Sequence, residues 1–306
     1  MNYIILDMEW NSAYSKVHGR FINEIIEIGA VKLDSSLREI GRFQAFVRSR
    51  LTKRLASRTK GLTHITNDDM RGGERLEKVL SDYAEFVGSD HLTLTWSNTD
   101  IYVLLDNIKS FMRLNTIPML EKYADLQKFI QRRMKIDGNQ ISLSAAAELG
   151  GVSFDEIAAH RALGDCLVCA ALLRKYFDEG ELKRYICDTT RPDYYERLNF
   201  KPYYITDLHH PAIERTQLRF NCDVCGAPAK RVAKWSVRNN FLRADFACPQ
   251  CKRRFNGRVR FKKTYDSVIV SKRICTADAE RAAEAAAGDK RSELDVGGTK
   301  SAAHIN

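Results

Sequence analysis

The fold is decided near the N-terminus, by the run Tyr3-Ile-Ile-Leu-Asp-Met-Glu9. Its apolar residues predict a central β-strand, and two acids, Asp7 and Glu9, stand where that strand is expected to end. Because side chains alternate between the faces of a strand, both carboxylates emerge on one face, while Met8 and Trp10 point to the other. Adjacent carboxylates raise each other's pKa unless a cation neutralises them, and Mg²⁺ or Mn²⁺ prefers such oxygen ligands. Pairs of this kind are also common on solvated surfaces, so further acids are needed to distinguish a metal site from a solvated pair.

Strand-like and helix-like segments alternate over residues 1–177. The β-branched and aromatic runs that predict strands after the first are residues 25–33, 43–47 and 92–96. The amphipathic runs that predict helices are residues 76–87, a segment from about 100, residues 124–134, a short segment after 142, and residues 161–177. Strands followed by interleaved helices indicate an α/β domain.

Two later motifs supply further acids. Thr95-Trp-Ser-Asn-Thr-Asp100 places a carboxylate where a strand gives way to a helix, and His160-Arg-Ala-Leu-Gly-Asp165 places a histidine before the last helix and a carboxylate in its first turn. Asp165 flanks the apolar stripe of that helix, so it points toward the sheet and needs a partner there. A plainer interpretation also fits, because acids at helix N-termini are favoured by the helix dipole and His160 is then a surface residue.

In chain order, Asp7, Glu9, Asp100, His160 and Asp165 resemble the DEDD exonuclease superfamily, in its histidine branch of DnaQ-like 3′–5′ exonucleases. The tyrosine branch would carry Tyr at the position of Arg161. The resemblance covers about residues 1–177 and extends to Glu24-Ile-Ile-Glu-Ile-Gly-Ala-Val31, Leu62-Thr-His-Ile-Thr66 and Trp96. Tyr123-Ala-Asp-Leu-Gln127 is most similar to the branch of histone-mRNA and small-RNA 3′-trimming exonucleases and their bacterial KapD-type relatives.

The resemblance implies an RNase H-like fold, a mixed five-stranded sheet flanked by helices, and a reaction that uses two Mg²⁺ or Mn²⁺ ions. The ions, about 3.5–4 Å apart, would hold the scissile phosphate. Asp7, Glu9 and Asp165 would bind them directly, and Asp100 directly or through water. His160 would act as general base, since imidazole titrates near neutral pH.

One segment departs from the family pattern. Trp10-Asn11-Ser12 stands where many members have small or Thr residues after the first Glu. Two roles are open for Trp10: its ring can stack on a base of the substrate, or it can pack in the core.

Positive charge is concentrated in the C-terminal third of the chain. The net charge is +10, and residues 213–275 hold sixteen Lys and Arg against four Asp and Glu, whereas residues 1–177 hold 24 against 22. Such a block indicates a polyanion partner, either nucleic acid or an anionic membrane surface, or else a solvated basic face without a partner.

The basic block also contains two Cys-x-x-Cys pairs, Cys222/Cys225 and Cys248/Cys251. Four thiolates at this spacing predict one structural Zn²⁺ in a zinc ribbon over residues 213–275, with redox Cys-x-x-Cys pairs as the alternative. Cys166 and Cys169 fall on the apolar stripe of the last helix of the first domain and are expected to be buried core residues.

A run of the ribbon interleaves cations with aromatic residues, a composition typical of surfaces that bind single-stranded nucleic acid. Phe255 and Phe261 within that run are alternatively expected in the ribbon's own core. The candidate nucleic-acid-binding cations are Lys252, Arg253, Arg254, Arg258, Arg260, Lys262 and Lys263.

We therefore expect four segments: an exonuclease domain at 1–177, a packed aromatic and Pro-containing connector at 178–212, the basic zinc ribbon at 213–275, and a disordered tail at 276–306. The N-terminus has no basic segment before an apolar run, and the chain has no stretch of about 18 apolar residues. These features predict neither a signal peptide nor a membrane helix, and they favour the cytoplasm.

The favoured function is a metal-dependent 3′–5′ exonuclease that acts on single-stranded nucleic acid with a free 3′ end, with RNA favoured over DNA. In this hypothesis the ribbon helps to grip the strand, and no membrane partner is expected. The alternative is a non-catalytic protein that binds nucleic acid or protein through its ribbon and uses the exonuclease fold as a scaffold. The presence of all five site residues favours the enzyme.

Overall fold

The computed structural model describes residues 1–153 and 161–275. The expectations for His160 and for the tail at 276–306 lie outside the described residues. The chain forms two compact units, one spanning Met1–Asn199 and another that begins at Phe200. None of the helices in the described part of the chain is long and apolar enough to span a membrane.

The first unit contains six strands and nine α-helices among the described residues. The strands are β1 (Asn2–Ser15), β2 (Arg20–Leu33), β3 (Glu39–Phe46), β4 (His91–Thr95), β5 (Lys122–Asp125) and β6 (Cys187–Asp188). The helices are α1 (Ser57–Thr63), α2 (Asn67–Gly72), α3 (Leu76–Val87), α4 (Thr99–Asn107), α5 (Leu126–Arg133), α6 (Leu143–Leu149), α7 (Ala162–Tyr176), α8 (Glu179–Lys183) and α9 (Tyr194–Asn199). A π-helical turn, Ile108–Met112, continues α4.

The six strands form one mixed sheet in the order β3-β2-β1-β4-β5-β6. β1, β2 and β3 are antiparallel, while β4 lies parallel to β1 and β5 parallel to β4. The sheet flanked by helices confirms the predicted fold class, with the two-residue β6 added to the five strands expected.

Helices cover both faces of this sheet, and β1 contributes to both cores. Ile4, Leu6 and Met8 pack with α3 and α4, whereas Tyr3 and Ile5 pack with α5, α6 and α7. Asp7 and Glu9 follow Tyr3 and Ile5 at the same two-residue period, so the alternation of the strand directs both carboxylates toward the side of α7.

The sequence pattern predicted that the first strand ends at the two acids, but β1 continues beyond them. It continues to Ser15 as a long hairpin with β2, and a β-bulge interrupts the register between Glu9 and Trp10. Bulges occur often beside active sites because they redirect side chains locally. The acids therefore lie in the middle of a strand, at its bulge.

The expected helix over 124–134 was wrong at its N-terminal end. Tyr123 and Ala124 pair with β4 as a strand, and α5 begins only at Leu126. Asp125 caps that helix by accepting a hydrogen bond from the Lys128 backbone N–H at 3.0 Å. Pairing with β4 determines this strand, and the helical spacing of Leu126, Phe129 and Ile130 begins only after it.

The segment expected as a connector is divided between the two units. Leu182 joins the core under α7, and Leu198, Tyr194 and Tyr195 pack against the core under α4. Residues 200–212 belong to the second unit, where Ile205 is buried in the core.

The second unit is a β-sheet built around a small apolar core. Its strands are β7 (Tyr203–Ile205), β8 (Lys230–Arg231), β9 (Ser236–Arg238), β10 (Phe241–Ala247), β11 (Arg254–Lys263) and β12 (Val268–Cys275). β11 is central, with β12 on one side and β10 and β7 on the other. Phe255 and Phe261 are buried, at 4% and 0% exposure, which confirms the alternative placement in the ribbon's core and rules out stacking of these two rings on bases.

Candidate functional site

Three carboxylates converge between β1 and α7. Oxygen atoms of Asp7, Glu9 and Asp165 all lie within 4.8 Å of one another, and the three residues are half-buried. Asp7 and Glu9 come from β1, and Asp165 comes from the first turn of α7. The structure thus brings together three of the acids that the sequence singled out, although 156 residues separate Glu9 from Asp165.

Asp100 lies beside this cluster, but it is not one of the three residues whose carboxylate oxygens all lie within 4.8 Å of one another. It occupies the first turn of α4 and is only 4% exposed. Its Oδ1 accepts a hydrogen bond from the Met8 backbone N–H at 3.2 Å, which ties α4 to β1 between the two strand acids. This position suits a carboxylate that acts through water or through its neighbours.

The loop before Asp100 is held by Tyr123 on β5. The Tyr123 hydroxyl lies 2.9 Å from Thr95 Oγ1, and it donates to Asn98 Oδ1 at 3.0 Å. The motif that begins at Tyr123 therefore supports the start of α4 and, with it, Asp100.

The electrostatics of the cluster favour bound cations. Burial raises the pKa of Asp7 well above its usual range, and the charges of Asp100, Asp165 and Glu9 raise it further. Burial also raises the pKa of Glu9 to about 8 and that of Asp100 to about 7. A divalent cation would offset both the lost hydration and the mutual repulsion, so these oxygen donors fit Mg²⁺ or Mn²⁺.

A buried ion pair anchors the helix that carries Asp165. Glu27 on β2 is fully buried and pairs across the hairpin with Glu9. Its carboxylate accepts hydrogen bonds from Arg161 Nη2 at 2.8 Å and Arg161 Nε at 3.1 Å, and from the Ala162 backbone N–H at 3.3 Å. Gln44 Nε2 donates a further bond at 2.7 Å. Sequence reasoning missed this function, although an acid inside the apolar run Ile25-Ile-Glu-Ile28 was a usable signal.

Gly29 permits α7 to lie directly on β2. A Cβ atom at this position would fall 2.4 Å from the Leu163 nitrogen and 2.5 Å from the Ala162 carbonyl carbon. Cys166 donates its thiol proton to the Gly29 carbonyl oxygen at 3.3 Å. Cys166 and Cys169 are buried in the core, at 0% and 2% exposure, as expected. The close backbone contact sets how near Asp165 comes to Asp7.

The departure after Glu9 has a structural explanation. Trp10 is half-buried against the core that contains Met8, in line with the packing role. Asn11 is buried, and its Oδ1 accepts hydrogen bonds from the Ala56 backbone N–H at 3.0 Å and the Thr59 hydroxyl at 3.1 Å. Asn11 thereby ties β1 to the start of α1.

In the second unit the four predicted cysteines form one cluster. Sγ–Sγ distances are 3.5 Å for Cys222 and Cys251, 3.4 Å for Cys225 and Cys248, and 3.6 Å for Cys225 and Cys251. Four sulfurs about 2.3 Å from a tetrahedral zinc ion would be roughly 3.8 Å apart, so the cluster fits Zn²⁺. Hydrogen bonds led by the Cys251 backbone N–H lower the pKa of Cys248 to about 7, which favours the thiolate that a metal needs.

The candidate nucleic-acid-binding cations lie in different surroundings. Arg253 donates to Asp223 at 2.7 and 2.8 Å, and Lys252 donates to the Pro249 carbonyl oxygen at 3.0 Å. Arg254, Arg258, Arg260 and Lys262 occupy alternate positions of β11, on the face opposite Phe255 and Phe261.

Comparison with known proteins agrees with this fold. The Exonuclease (RNase_T) family model matches residues 4–173, more than half of the chain, and the protein therefore belongs to that family. The resemblance seen in the acidic motifs is thereby confirmed at the level of the family.

Two curated relatives share 26% identity with the chain. DNA polymerase III PolC-type of Clostridium perfringens (strain 13 / Type A) aligns over 211 residues, 68% of this chain and 13% of that protein. The 3'-5' exoribonuclease 1 of Rattus norvegicus aligns over 168 residues, 52% of this chain and 48% of that protein. The matched segments thus cover less than half the length of either relative.

Solved structures show a similar fold for the first unit. The nuclease domain of 3'hExo, described as a DEDDh family member bound to rAMP, superposes with a TM-score of 0.51 at 24% identity, covering 59% of this chain and 94% of that one. A 3'-exonuclease solved for its recognition of histone mRNA stem-loop superposes with a TM-score of 0.51 at 23% identity, covering 59% and 83% of the two chains.

Proposed function

We propose that this protein removes nucleoside 5′-monophosphates one at a time from the 3′ end of single-stranded nucleic acid. One observation carries the proposal: Asp7, Glu9 and Asp165 place carboxylate oxygens within 4.8 Å of one another, inside the region matched by the exonuclease family model. A single-stranded substrate follows from the need to present a free 3′ end to a narrow group of acids.

The chain's residues divide the work. Asp7, Glu9 and Asp165 would hold two Mg²⁺ or Mn²⁺ ions, and Asp100 would contribute through water while it fixes the Met8 backbone. Two bound divalent ions would neutralise the scissile phosphate and favour deprotonation of the attacking water. His160 would accept the proton of that water, as the resemblance implies.

RNA is the proposed preference. It is supported by the Tyr123–Gln127 motif and by the name of the rat relative, an exoribonuclease, while the PolC-type relative bears the name of a DNA polymerase. The second unit would hold one structural Zn²⁺ in its cysteine cluster and add affinity for the strand through its basic surface.

The decisive experiment uses 5′-labelled single-stranded RNA and DNA of one sequence, with and without Mg²⁺ or Mn²⁺. Wild-type protein should shorten strands stepwise from the 3′ end and release 5′-monophosphates, and Asp7→Ala should abolish this activity. Asp68→Ala serves as the control. Asp68 is an exposed acid outside the carboxylate cluster, and its carboxylate pairs with Arg71. Equal trimming by Asp7→Ala and wild type would contradict the assignment of the carboxylate cluster, and no trimming by wild type with either metal would support the non-catalytic alternative.

A second variant tests the proposed base. His160→Ala should slow the reaction about 10²- to 10⁴-fold while Mn²⁺ binding, measured by titration calorimetry, persists. Loss of Mn²⁺ affinity in this variant would make His160 a ligand and contradict its assignment as the base.

A further inference from the structure

The central strand of the second unit separates an apolar face from a cationic face. Along β11, Phe255, Gly257, Val259 and Phe261 are buried in the core, while Arg254, Arg258, Arg260 and Lys262 alternate with them and remain half-buried or exposed. Positions on one face of a strand recur about every 6.8 Å. We call the solvent side of this sheet the outer face.

Neighbouring strands extend the outer face by register. Arg258 lies directly between Arg243 of β10 and Arg273 of β12, and Lys262 pairs with Tyr204 of β7. Arg238 of β9 pairs with Phe241 of β10 at the same end of the sheet. Among the sheet positions described on this face, Asp245 is the acidic one, and it accepts a hydrogen bond from Asn256 at 3.0 Å.

Arg243, Arg258 and Arg273 form a row across three paired strands, so three arginines stand next to one another on the outer face. An anion that bridges them interacts with more than one positive charge at once. Guanidinium groups also present forked donors that match the oxygens of a phosphate.

Two aromatic rings hold another arginine in place. The Arg260 guanidinium carbon lies 4.6 Å from the centroid of the Phe241 ring and 5.2 Å from that of Tyr204. Arg273 lies 6.0 Å from the same Phe241 ring. A guanidinium positioned by two rings loses less side-chain entropy on binding, and the rings offer π-faces on which unpaired bases can stack.

We propose that the outer face binds single-stranded nucleic acid, with phosphates on Arg258, Arg260 and Arg273 and bases stacked against Phe241 and Tyr204. The inference rests on the proposed function, because both involve single-stranded nucleic acid. It adds the face of the second unit that binds this nucleic acid. It places Arg260 at the centre of the contact and leaves Arg253, which pairs with Asp223, outside it.

The test measures binding without turnover, by fluorescence anisotropy of a labelled 16-nucleotide strand on full-length Asp7→Asn protein. Adding Arg258→Gln, Arg260→Gln and Arg273→Gln should weaken binding at least tenfold at moderate salt. It should also reduce the slope of log K against log salt by about 2, since each phosphate contact on a single strand contributes about 0.7. The matched control carries Arg215→Gln, Arg231→Gln and Lys234→Gln, three exposed cations of the same unit outside the outer face, and should bind within threefold of the parent.

The stacking component needs a strand that lacks bases. Phe241→Leu should weaken binding of the normal strand about tenfold and that of an abasic strand of equal length by about threefold at most, the part that comes from loosening Arg260, while Phe241→Trp restores affinity. Equal losses for the two triple variants, or equal affinity for normal and abasic strands, would overturn the proposal. The proposal would also be overturned if the outer-face variant lost binding to phosphatidylserine vesicles but bound single-stranded nucleic acid as the parent does. The outer face would then bind a membrane surface.

These outcomes are separable from those of the proposed function. Strand binding by Asp7→Asn that depends on the outer face, without any degradation by wild type, would reject only the nuclease. Degradation of trinucleotides by wild type, with unchanged binding in the outer-face variants, would reject only the binding face. Zinc content and thermal midpoint of each variant show whether the second unit remains folded.

Discussion

Arg161, at the N-terminal end of α7, donates two hydrogen bonds to the fully buried carboxylate of Glu27 on β2, although 134 residues separate them. Glu27 also accepts from the first backbone N–H of α7. Because Asp165 lies one turn further along this helix, the pair determines where the third acid of the cluster meets Asp7 and Glu9. Arg161 stands where the tyrosine branch of the superfamily would carry its tyrosine, and here it has a structural role.

Glu27→Gln should lower both stability and activity. The substitution leaves Arg161 without its charged partner at a site where Glu27 is completely buried, which costs roughly 2–4 kcal/mol. Denaturant unfolding and the exonuclease assay with Mn²⁺ measure the two effects. Glu77→Gln is the control, since Glu77 pairs with Arg50 at the surface and should change stability by less than about 1 kcal/mol. Equal unfolding midpoints for Glu27→Gln and wild type would contradict the anchoring role.

Gly29→Ala should reduce activity at least as strongly as it reduces stability. Its methyl group would overlap backbone atoms of Ala162 and Leu163, so α7 has to move away from β2 and carry Asp165 with it. We expect weaker Mn²⁺ binding by calorimetry. Gly61→Ala is the matched control, because a Cβ there meets no atom within 4 Å. Unchanged Mn²⁺ affinity in Gly29→Ala would show that this contact does not position the cluster.

The free energy of unfolding of the metal-free protein should decrease as pH rises from about 5 to 8. Burial raises the folded-state pKa of Glu9 from an ordinary 4.5 to about 8, so the folded protein binds this proton more tightly than the unfolded chain. The stabilisation is complete below the unfolded pKa and is lost as pH rises through the folded one. Urea unfolding at pH 6, 7 and 8 should show this decrease, and Mn²⁺ should remove it by replacing the protons.

Glu9→Gln provides the comparison for that pH dependence. The amide does not titrate, so the variant should lose stability less steeply over the same range, while contributions from the second unit remain the same in both proteins. Identical slopes for Glu9→Gln and wild type would mean that Glu9 titrates normally.

The second unit should depend on its metal. One zinc ion per chain is expected by elemental analysis, and Cys248→Ser should lose it and lower the thermal midpoint of this unit. Metal binding contributes apparent free energies of about 10–16 kcal/mol in small zinc modules. Cys187→Ser is the control, since Cys187 is an exposed thiol on β6, outside the cluster. Full zinc content in Cys248→Ser would contradict the four-cysteine site.

A fragment that ends at Asn199 should be far more stable than one that ends at Phe177. The shorter fragment lacks Leu182 and Leu198, which are 1% and 7% exposed, and each buried leucine contributes about 1.5–3 kcal/mol. Thermal unfolding followed by circular dichroism compares the two. Equal midpoints would show that residues 178–199 add nothing to the first unit.

Patterns within single elements were predictable from the sequence. The stripe Leu76, Val79, Leu80, Tyr83 and Val87 is buried along α3 as its spacing predicts. The two-residue period of β1 directs Asp7 and Glu9 to one face, and the Cys-x-x-Cys spacing places the two sulfurs of each pair close together. Such features depend only on the geometry of one strand, one helix or one knuckle, and local sequence contains that geometry.

The tertiary structure decided what depends on pairing between distant segments. The register of β1 with β2 places the bulge at Glu9, and pairing with β4 makes Tyr123 part of a strand. The contact between Gly29 and α7 sets the approach of Asp165, and the register of β10, β11 and β12 aligns Arg243, Arg258 and Arg273. A sequence lists these residues without their partners, because cross-strand register and helix docking arise only when the whole core packs.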